Sequence, residues 1–287
     1  MNTVLNELSK RNPDTKGKVR DIYDLGDKLA LLASDRHSSF DRIIAEVPGK
    51  GKILNLMSKF WFENTEDIIP NHALEYPDEK TLIAKKCKVI PIEIIVRGYI
   101  TGITSTSLWT NYKNGQRDFG DFKLGEGLKK NQKLQEPLVT PSTKSNSGDE
   151  NISFKEIIER EIIGAALAAQ IKDIALKLFQ RGQDIAKAKG WILVDTKYEF
   201  GLDENNKLTL IDEIHTPDSS RFWRLATYAD RFSKGEEPEA FDKEFLRIWF
   251  KENCDPYKDE VLPPAPQELV QKLAKKYGEI FEGICLS

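Results

Sequence analysis

Cysteine is scarce: Cys87, Cys254 and Cys285 are the only three in 287 residues, and they stand far apart with no CxxC pair. So sparse and odd a count excludes a disulfide framework and a cysteine-built zinc site, and it fits thiols in a reducing compartment. Long hydrophobic runs are missing as well, and no stretch approaches the roughly 20 apolar residues that cross a bilayer. Residues 1–12 are polar and mixed in charge, unlike a secretory leader. Charge of one sign is also lacking. The formal net charge is −3, so no global field draws the chain to nucleic acid or to an anionic membrane. The expectation is a cytoplasmic protein with neither of those partners. Neither the P-loop pattern nor G-x-G-x-x-G occurs, which removes the standard nucleotide fingerprints.

What is present is an ordinary globular balance, 39% hydrophobic and 31% charged, in a chain long enough for one large domain or two lobes. Its 43 Lys and Arg residues leave room for a local cationic pocket. Runs 18–23 and 28–34, joined by Asp24-Leu25-Gly26-Asp27, predict a hairpin. Leu54, Met57, Phe60 and Trp61 at helical spacing predict a helix over 53–62. Runs 81–84 and 88–97 read as strands. A change of composition near Pro91 places a lobe boundary there, giving a β-rich lobe over 1–91 and an α+β lobe over 92–287. Residues 115–151 are dense in Gly, Pro, Ser and Thr and read as a long loop. Ser153 and Glu156 then have capping-box spacing. An apolar stripe from Ile157 to Ile185 continues the helical region, with Gly164 and Gly182 marking interruptions or ends. Runs 191–200 and 207–214 form a second strand pair, and 241–250 and 266–281 are helical. Strands first and helices later indicate an α+β fold.

The second strand pair carries the most chemistry. A two-residue turn at Asn205-Asn206 puts Glu199 directly opposite Asp212. Alternation puts Asp195, Lys197 and Glu199 on one face. Facing carboxylates repel, and bound Mg²⁺ reverses that sign because it prefers oxygen ligands. The competing reading is a solvated acidic face. Two further candidates are Gly17-Lys18-Val19-Arg20, where glycine admits close backbone approach and the cations neutralise phosphate, and Pro48-Gly49-Lys50-Gly51-Lys52 at a helix start, where amides favour anions. Each is also compatible with an ordinary basic turn.

Taken together, the strings resemble the SAICAR synthetase family. They are Gly17-Lys18-Val19-Arg20-Asp21-Ile22-Tyr23, Ala33-Ser34-Asp35-Arg36-His37-Ser38-Ser39-Phe40-Asp41, Pro48-Gly49-Lys50-Gly51, and Pro91-Ile92-Glu93-Ile94-Ile95-Val96-Arg97-Gly98-Tyr99. Glu136-Pro137 with Thr140-Pro141-Ser142-Thr143-Lys144, Val194-Asp195-Thr196-Lys197-Tyr198-Glu199-Phe200-Gly201, Ile211-Asp212-Glu213 and Pro217-Asp218-Ser219-Ser220-Arg221-Phe222-Trp223 follow in order. The resemblance implies two α+β lobes, similar in outline to ATP-grasp enzymes and protein kinases, with ATP between them. It implies an ATP-dependent ligase that joins L-aspartate to the carboxylate of carboxyaminoimidazole ribonucleotide (CAIR), as a monomer or small homo-oligomer.

By motif position, Gly17, Lys18, Val19 and Arg20 would hold ATP phosphates, and Val89, Ile90 and Ile92 would contact adenine as a hinge. Glu199 and Asp212 would bind Mg²⁺, with Lys197 beside the nucleotide. Arg97, Lys130, Asp218, Ser219, Arg221 and Arg247 would surround the substrates, and Lys197, Asp218 and Arg221 would be catalytic, Asp218 as a possible base. Two positions depart from the family's pattern. Ile103 stands where a Ser is common, so its hydroxyl role would pass to Thr104 or Ser105. Gly148 stands where a His is common.

Overall fold

The structure, a computed structural model, describes residues 3–40, 42–144, 150–241 and 243–286. Asp41 and Gly148, both in the motifs above, lie outside the described residues. A short helix α1 (Thr3–Leu8) leads into β1 (Thr15–Lys16), β2 (Arg20–Asp24) and β3 (Lys28–Ala33). The hairpin β4 (Arg36–Ser39) and β5 (Arg42–Glu46) comes next, then helix α2 (Lys50–Glu63), β6 (Ala73–Glu75) and β7 (Thr81–Lys85). These build a first antiparallel sheet of order β1-β2-β3-β7-β6, with β4–β5 as a separate ribbon. The chain then forms β8 (Lys88–Ile100), α3 (Leu108–Lys113), β9 (Gln132–Thr143), α4 (Phe154–Glu159), α5 (Ala165–Ala188), β10 (Trp191–Leu202), β11 (Leu208–Ile211) and β12 (Ser220–Arg224). Helices α6 (Leu225–Ser233), α7 (Glu244–Asn253) and α8 (Gln267–Phe281) follow. The second sheet runs β11-β10-β8-β9, and β12 also pairs with β10. The fold is α+β, as its element order indicates. Among the described residues no helix is long and apolar enough to cross a membrane.

The expected hairpin, the helix beginning near 53 and the capping box are all present. Ser153 Oγ accepts from the Glu156 amide, and the Glu156 carboxylate accepts from the Ser153 amide. The long loop over 115–151 is a correction, because the twelve-residue strand β9 runs through it. Pro137 and Pro141 hid that strand. They are tolerated because β9 is the sheet's edge, where a missing N–H breaks no inner ladder. Pro91 likewise falls inside β8 rather than at a break. It sits where the β8–β10 register shifts between Glu199 and Gly201, a bulge that needs no donor from it.

Along β8, Ile90, Ile92, Ile94 and Val96 point into the main core, where they meet Tyr198 and Phe200 of β10 and Ile171, Leu178 and Phe179 of α5. Full burial of such a side chain contributes roughly 1.5–3 kcal/mol. A second core joins Phe40 and Ile44 of the ribbon region and Leu54 of α2 to Leu246 and Phe250 of α7 and Leu273 and Tyr277 of α8. The C-terminal helices therefore close over the N-terminal ribbon, which fixes residues 36–39 beside residues 243–247.

Gly164 does precede α5, but Gly182 lies inside it. A Cβ at 182 would come within 2.5 Å of His215 and 2.7 Å of Leu193, so the helix crosses the sheet at van der Waals contact only because this residue is glycine. Gly278 in α8 has nothing within 4 Å of such a Cβ. Gly182→Ala is therefore expected to lower the urea midpoint and Gly278→Ala to raise stability by about 0.5–1 kcal/mol. Equal effects would contradict the packing account.

All three histidines, His37, His72 and His215, are buried, and burial pushes their pKa values down to about 3, about 4 and about 3. The unfolded chain takes up protons on them below pH ~6.5, where the folded chain does not. Their stability contribution is complete above that pH and is lost on acidification, on the order of 2 kcal/mol per histidine at pH 5. Asp212, pushed up to about 6 chiefly by burial, opposes this with on the order of 1 kcal/mol. Urea unfolding at pH 7.5 and 5.0 is expected to show a net loss that shrinks in His72→Gln. An unchanged midpoint would refute it.

Candidate active site

Strand β10 has partners on both sides, and a register shift between Leu193 and Asp195 changes which of its residues face the core. Before the shift Trp191 and Leu193 are in the main core; after it Tyr198 and Phe200 are. The bulge leaves Asp195, Lys197 and Glu199 together on the opposite face. Opposite them on β8 stand Arg97, Ile95 and Glu93. Asp195, Lys197, Glu93, Ile95 and Arg97, with Ser142 of β9 and the segment 217–221, wall a cavity of about 220 Å³, lined also by Thr104, Thr106, Ser107, Lys243 and Arg247; Glu199 continues the row next to Lys197 without lining the cavity.

The expected pairing of Glu199 with Asp212 is off by one residue. Glu199 pairs with Ile211, because the turn uses three residues rather than two: Asp203 N donates to Lys207 O, and Asn206 adopts φ 58°. Asp212 follows the strand with φ 65°, a left-handed kink. Its carboxylate takes Arg20 Nη1 at 2.9 Å, while Arg20 Nη2 holds Glu213 at 2.9 Å. Glu199 accepts from Lys144 and from Lys197, the latter at 3.1 Å, and Lys197 also reaches Glu93 at 2.8 Å. Burial disfavours the Glu199 carboxylate, but Lys197 and Lys144 overcome it and bring its pKa down to about 2. At this end, among the described residues, the ion pairs join three cations, Arg20, Lys144 and Lys197, to four carboxylates, Glu93, Glu199, Asp212 and Glu213.

The other end has the opposite balance. Asp195 lies 2.6 Å from Arg221 and 3.8 Å from Arg97; Glu244 lies 3.7 Å from Arg221 and 3.2 Å from Arg247. Asp218 lies 2.7 Å from the fully buried Lys50 and 3.7 Å from Lys243. Five cations thus share three carboxylates among the described residues. Burial alone would raise the Asp218 pKa, but Lys243 and Lys50 hold it well below the usual carboxylate range. Burial lowers Arg97 to about 10, against the pull of Asp195.

Of the residues expected from sequence, Arg97, Lys197, Asp218, Ser219, Arg221 and Arg247 converge on the cavity. Lys130 instead bonds Glu237 at 2.5 Å and lines a neighbouring cavity of about 270 Å³ that shares Arg221 with the first. Gly17 forms a tight turn, its N–H donating to Arg20 O at 2.9 Å, and a Cβ there would sit 2.6 Å from that oxygen. Val19 packs against the second core. Val89 is exposed, but the side chains of Ile90 and Ile92 point into the core, so only their backbone can reach a ligand. In place of the unconventional Ile103, Thr104 and Ser107 line the cavity, and Ser105 does not. The amides at the start of α2, at Gly49 and Gly51, are taken by Asp35 of the chain itself, at 3.4 and 2.9 Å.

Sequence reasoning gave no site role to Glu93, Asp195, Lys243 or Glu244, and it took Lys50 as part of an anion-binding turn rather than as a partner of Asp218. The first two carried a usable signal, since they share strand parity with Arg97 and Lys197.

A model of the SAICAR synthetase family matches residues 14–264. Over 269 residues the chain is 55% identical to the phosphoribosylaminoimidazole-succinocarboxamide synthase of Legionella pneumophila (strain Paris), covering 94% of this chain and 86% of that one. It is also 55% identical to the chloroplastic protein of that name from Arabidopsis thaliana, covering 94% and 66%. Among solved structures, the SAICAR synthase from Saccharomyces cerevisiae complexed with SAICAR is 37% identical, with a TM-score of 0.80 and coverage of 96% and 94%. A type-2 SAICAR synthetase in complex with ADP is 26% identical, with a TM-score of 0.73 and coverage of 95% and 97%. With the family model matched over residues 14–264 and these relatives covering nearly the whole chain, the chain belongs to the SAICAR synthetase family.

Proposed function

We propose that this chain is the ATP-dependent ligase that joins L-aspartate to the carboxylate of CAIR, giving SAICAR, ADP and phosphate in purine biosynthesis. The observation that carries this reading is the polarity of the site, carboxylate-rich at the Glu199–Asp212 end and cation-rich at the Arg97–Arg221–Arg247 end. Ligation needs both: a metal-nucleotide on one side and anionic substrates on the other.

The carboxylate end fits Mg²⁺. Among the described residues four buried or half-buried carboxylates, Glu93, Glu199, Asp212 and Glu213, exceed their three cations there. A pair of carboxylates plus phosphate oxygens and water is the set Mg²⁺ prefers. Glu199 and Asp212 would hold it; bound there, it would neutralise charge on the transferred phosphoryl group. Gly17, Lys18 and Arg20 would face the nucleotide phosphates, with Arg20 exchanging a carboxylate for phosphate. Val89 would offer apolar contact to adenine, and Ile90 and Ile92 backbone only.

Lys197, held between Glu93 and Glu199, keeps its charge, since those carboxylates outweigh the effect of burial. In this reading it would stabilise charge that moves from nucleotide to acceptor. Transfer of the terminal phosphoryl group to the CAIR carboxylate turns a poor leaving oxygen into phosphate. The aspartate amine then attacks that carbonyl carbon, the C–O bond to phosphate breaks, and the amine loses its proton. Arg97 and Arg221, fixed by Asp195, and Arg247 would orient the acceptor, Arg221 through a fork that can grip carboxylate or phosphate in two places. Ser219 would contribute a hydroxyl at the same wall. The lobe division near residue 91, a cytoplasmic location and a monomeric or small homo-oligomeric state complete the proposal.

Release of ADP is expected to require Mg²⁺, L-aspartate and CAIR together, with the succinocarboxamide confirmed by mass. Glu199→Gln and Asp212→Asn are each expected to lower turnover at least ~100-fold with unchanged circular dichroism. Normal turnover in both would sink the metal assignment, and ADP release independent of L-aspartate would sink the ligase reading.

A further inference from the structure

Within the cation-rich end, one wall differs from the rest. Lys243, at the start of α7, reaches the cavity with its ammonium 3.7 Å from Asp218 Oδ1 and 3.3 Å from the Ser38 carbonyl that it donates to. Asp218 is already engaged: Lys50 donates to Oδ2 at 2.7 Å and Tyr277 Oη donates to Oδ1 at 2.8 Å. Arg247, one helical turn beyond Lys243, lines the same cavity. The ring nitrogens of His37, buried behind Asp218 with Nδ1 4.0 Å away, have no partner among the described residues, so His37 is a neutral neighbour rather than a counter-ion.

Two ammonium groups on one carboxylate, with a guanidinium beside them, attract an anion. The kind of anion follows from Asp218. A phosphate monoester would bring two negative charges against that carboxylate. An α-amino acid brings a carboxylate for the cations and its own ammonium, which relieves the repulsion.

Building on the ligase reading, we propose that Lys243, with Arg247, is the carboxylate clamp of the amino-acid subsite, and that Asp218 is its fixed anion rather than a proton acceptor. Held ionised by Lys50 and Tyr277, Asp218 is a weak base, but it is a stable counter-charge that aims Lys243 and favours a zwitterionic ligand. A side-chain carboxylate on the ligand then has the second cation to itself, which selects an acidic amino acid over its amide.

The charge state of Lys243 supports this. Burial is the largest influence and lowers its pKa; Arg247 and Lys50 lower it further, Asp218 and Glu213 oppose them, and the result is about 8. An anionic ligand restores the protonated form. Affinity for a dicarboxylate should therefore weaken as pH rises above ~8, up to tenfold per unit.

The test compares wild type, Lys243→Met and Lys243→Arg in full steady-state kinetics, with succinate as an amine-free dicarboxylate probe. Thermal melts check folding, and Lys243→Arg keeps the charge if Lys243→Met is unstable. Lys243→Met is expected to raise KM for L-aspartate at least 30-fold, leaving KM for ATP and CAIR within twofold and kcat at saturating aspartate within fivefold. Lys243→Arg is expected to recover much of the loss. The succinate inhibition constant is expected to rise above pH ~8 in wild type and stay flat in Lys243→Arg. A rise in KM for CAIR alone would assign the wall to the ribonucleotide, and a fall in kcat at unchanged KM would assign Lys243 to proton transfer. Either result overturns the clamp. Absence of aspartate-dependent turnover in the wild type would instead overturn the ligase reading before any variant is compared.

Discussion

Three ionisable side chains in a row on a central strand are the constraint around which this molecule is arranged. Asp195, Lys197 and Glu199 lie on one face of β10, which is paired on both sides, so water alone does not solvate them. A buried charge must be paired or it costs several kcal/mol. Each has therefore acquired partners from distant parts of the chain: Arg221 and Arg97 at Asp195, Glu93 at Lys197, Lys144 at Glu199. The bulge at 193–195 makes the row possible, since it lets one strand present Trp191 and Leu193 to the core and still turn Asp195 away from it.

The pairing is deliberately uneven in its outcome. Among the described residues carboxylates exceed cations near Asp212, and cations exceed carboxylates near Asp218. That unevenness leaves affinity for ligands of opposite sign at the two ends, which a fully neutralised network would not have. It also explains why the C-terminal helices matter for chemistry. The core formed by Leu54, Leu246, Phe250 and Tyr277 carries Lys243 and Arg247 to the site and places the Tyr277 hydroxyl on Asp218. Packing and charge placement are one arrangement there.

Much of this was legible in the sequence, for reasons that can be stated residue by residue. Period-two alternation correctly grouped Asp195, Lys197 and Glu199, and the Ser153–Glu156 box marked its helix, because both signals are local. The Glu199–Asp212 register failed by one because Asn206 accepts a left-handed conformation and lengthens the turn, a choice that Asn205-Asn206 does not announce. Strand β9 was hidden by two prolines that only an edge position excuses. Lys50 stood in a turn that looked like an anion site for a ligand; its side chain serves Asp218 and its neighbouring amides serve Asp35. Lys243 and Glu244 were invisible because the partners that draw them to the site, Asp218 and Arg221, lie more than 20 residues away in sequence. Pairing across the fold is decided by packing, which no local pattern carries.

The central claim, that the carboxylate-rich end is the metal-nucleotide end, is tested most directly by anomalous diffraction from crystals grown with Mn²⁺ and a non-hydrolysable ATP analogue. The account predicts a manganese peak between the Glu199 and Asp212 carboxylates, bridged to the nucleotide phosphates, with Arg20 drawn from Asp212 toward phosphate. A peak elsewhere in the cavity, or a nucleotide bound with its phosphates at the Arg221–Arg247 end, would contradict it.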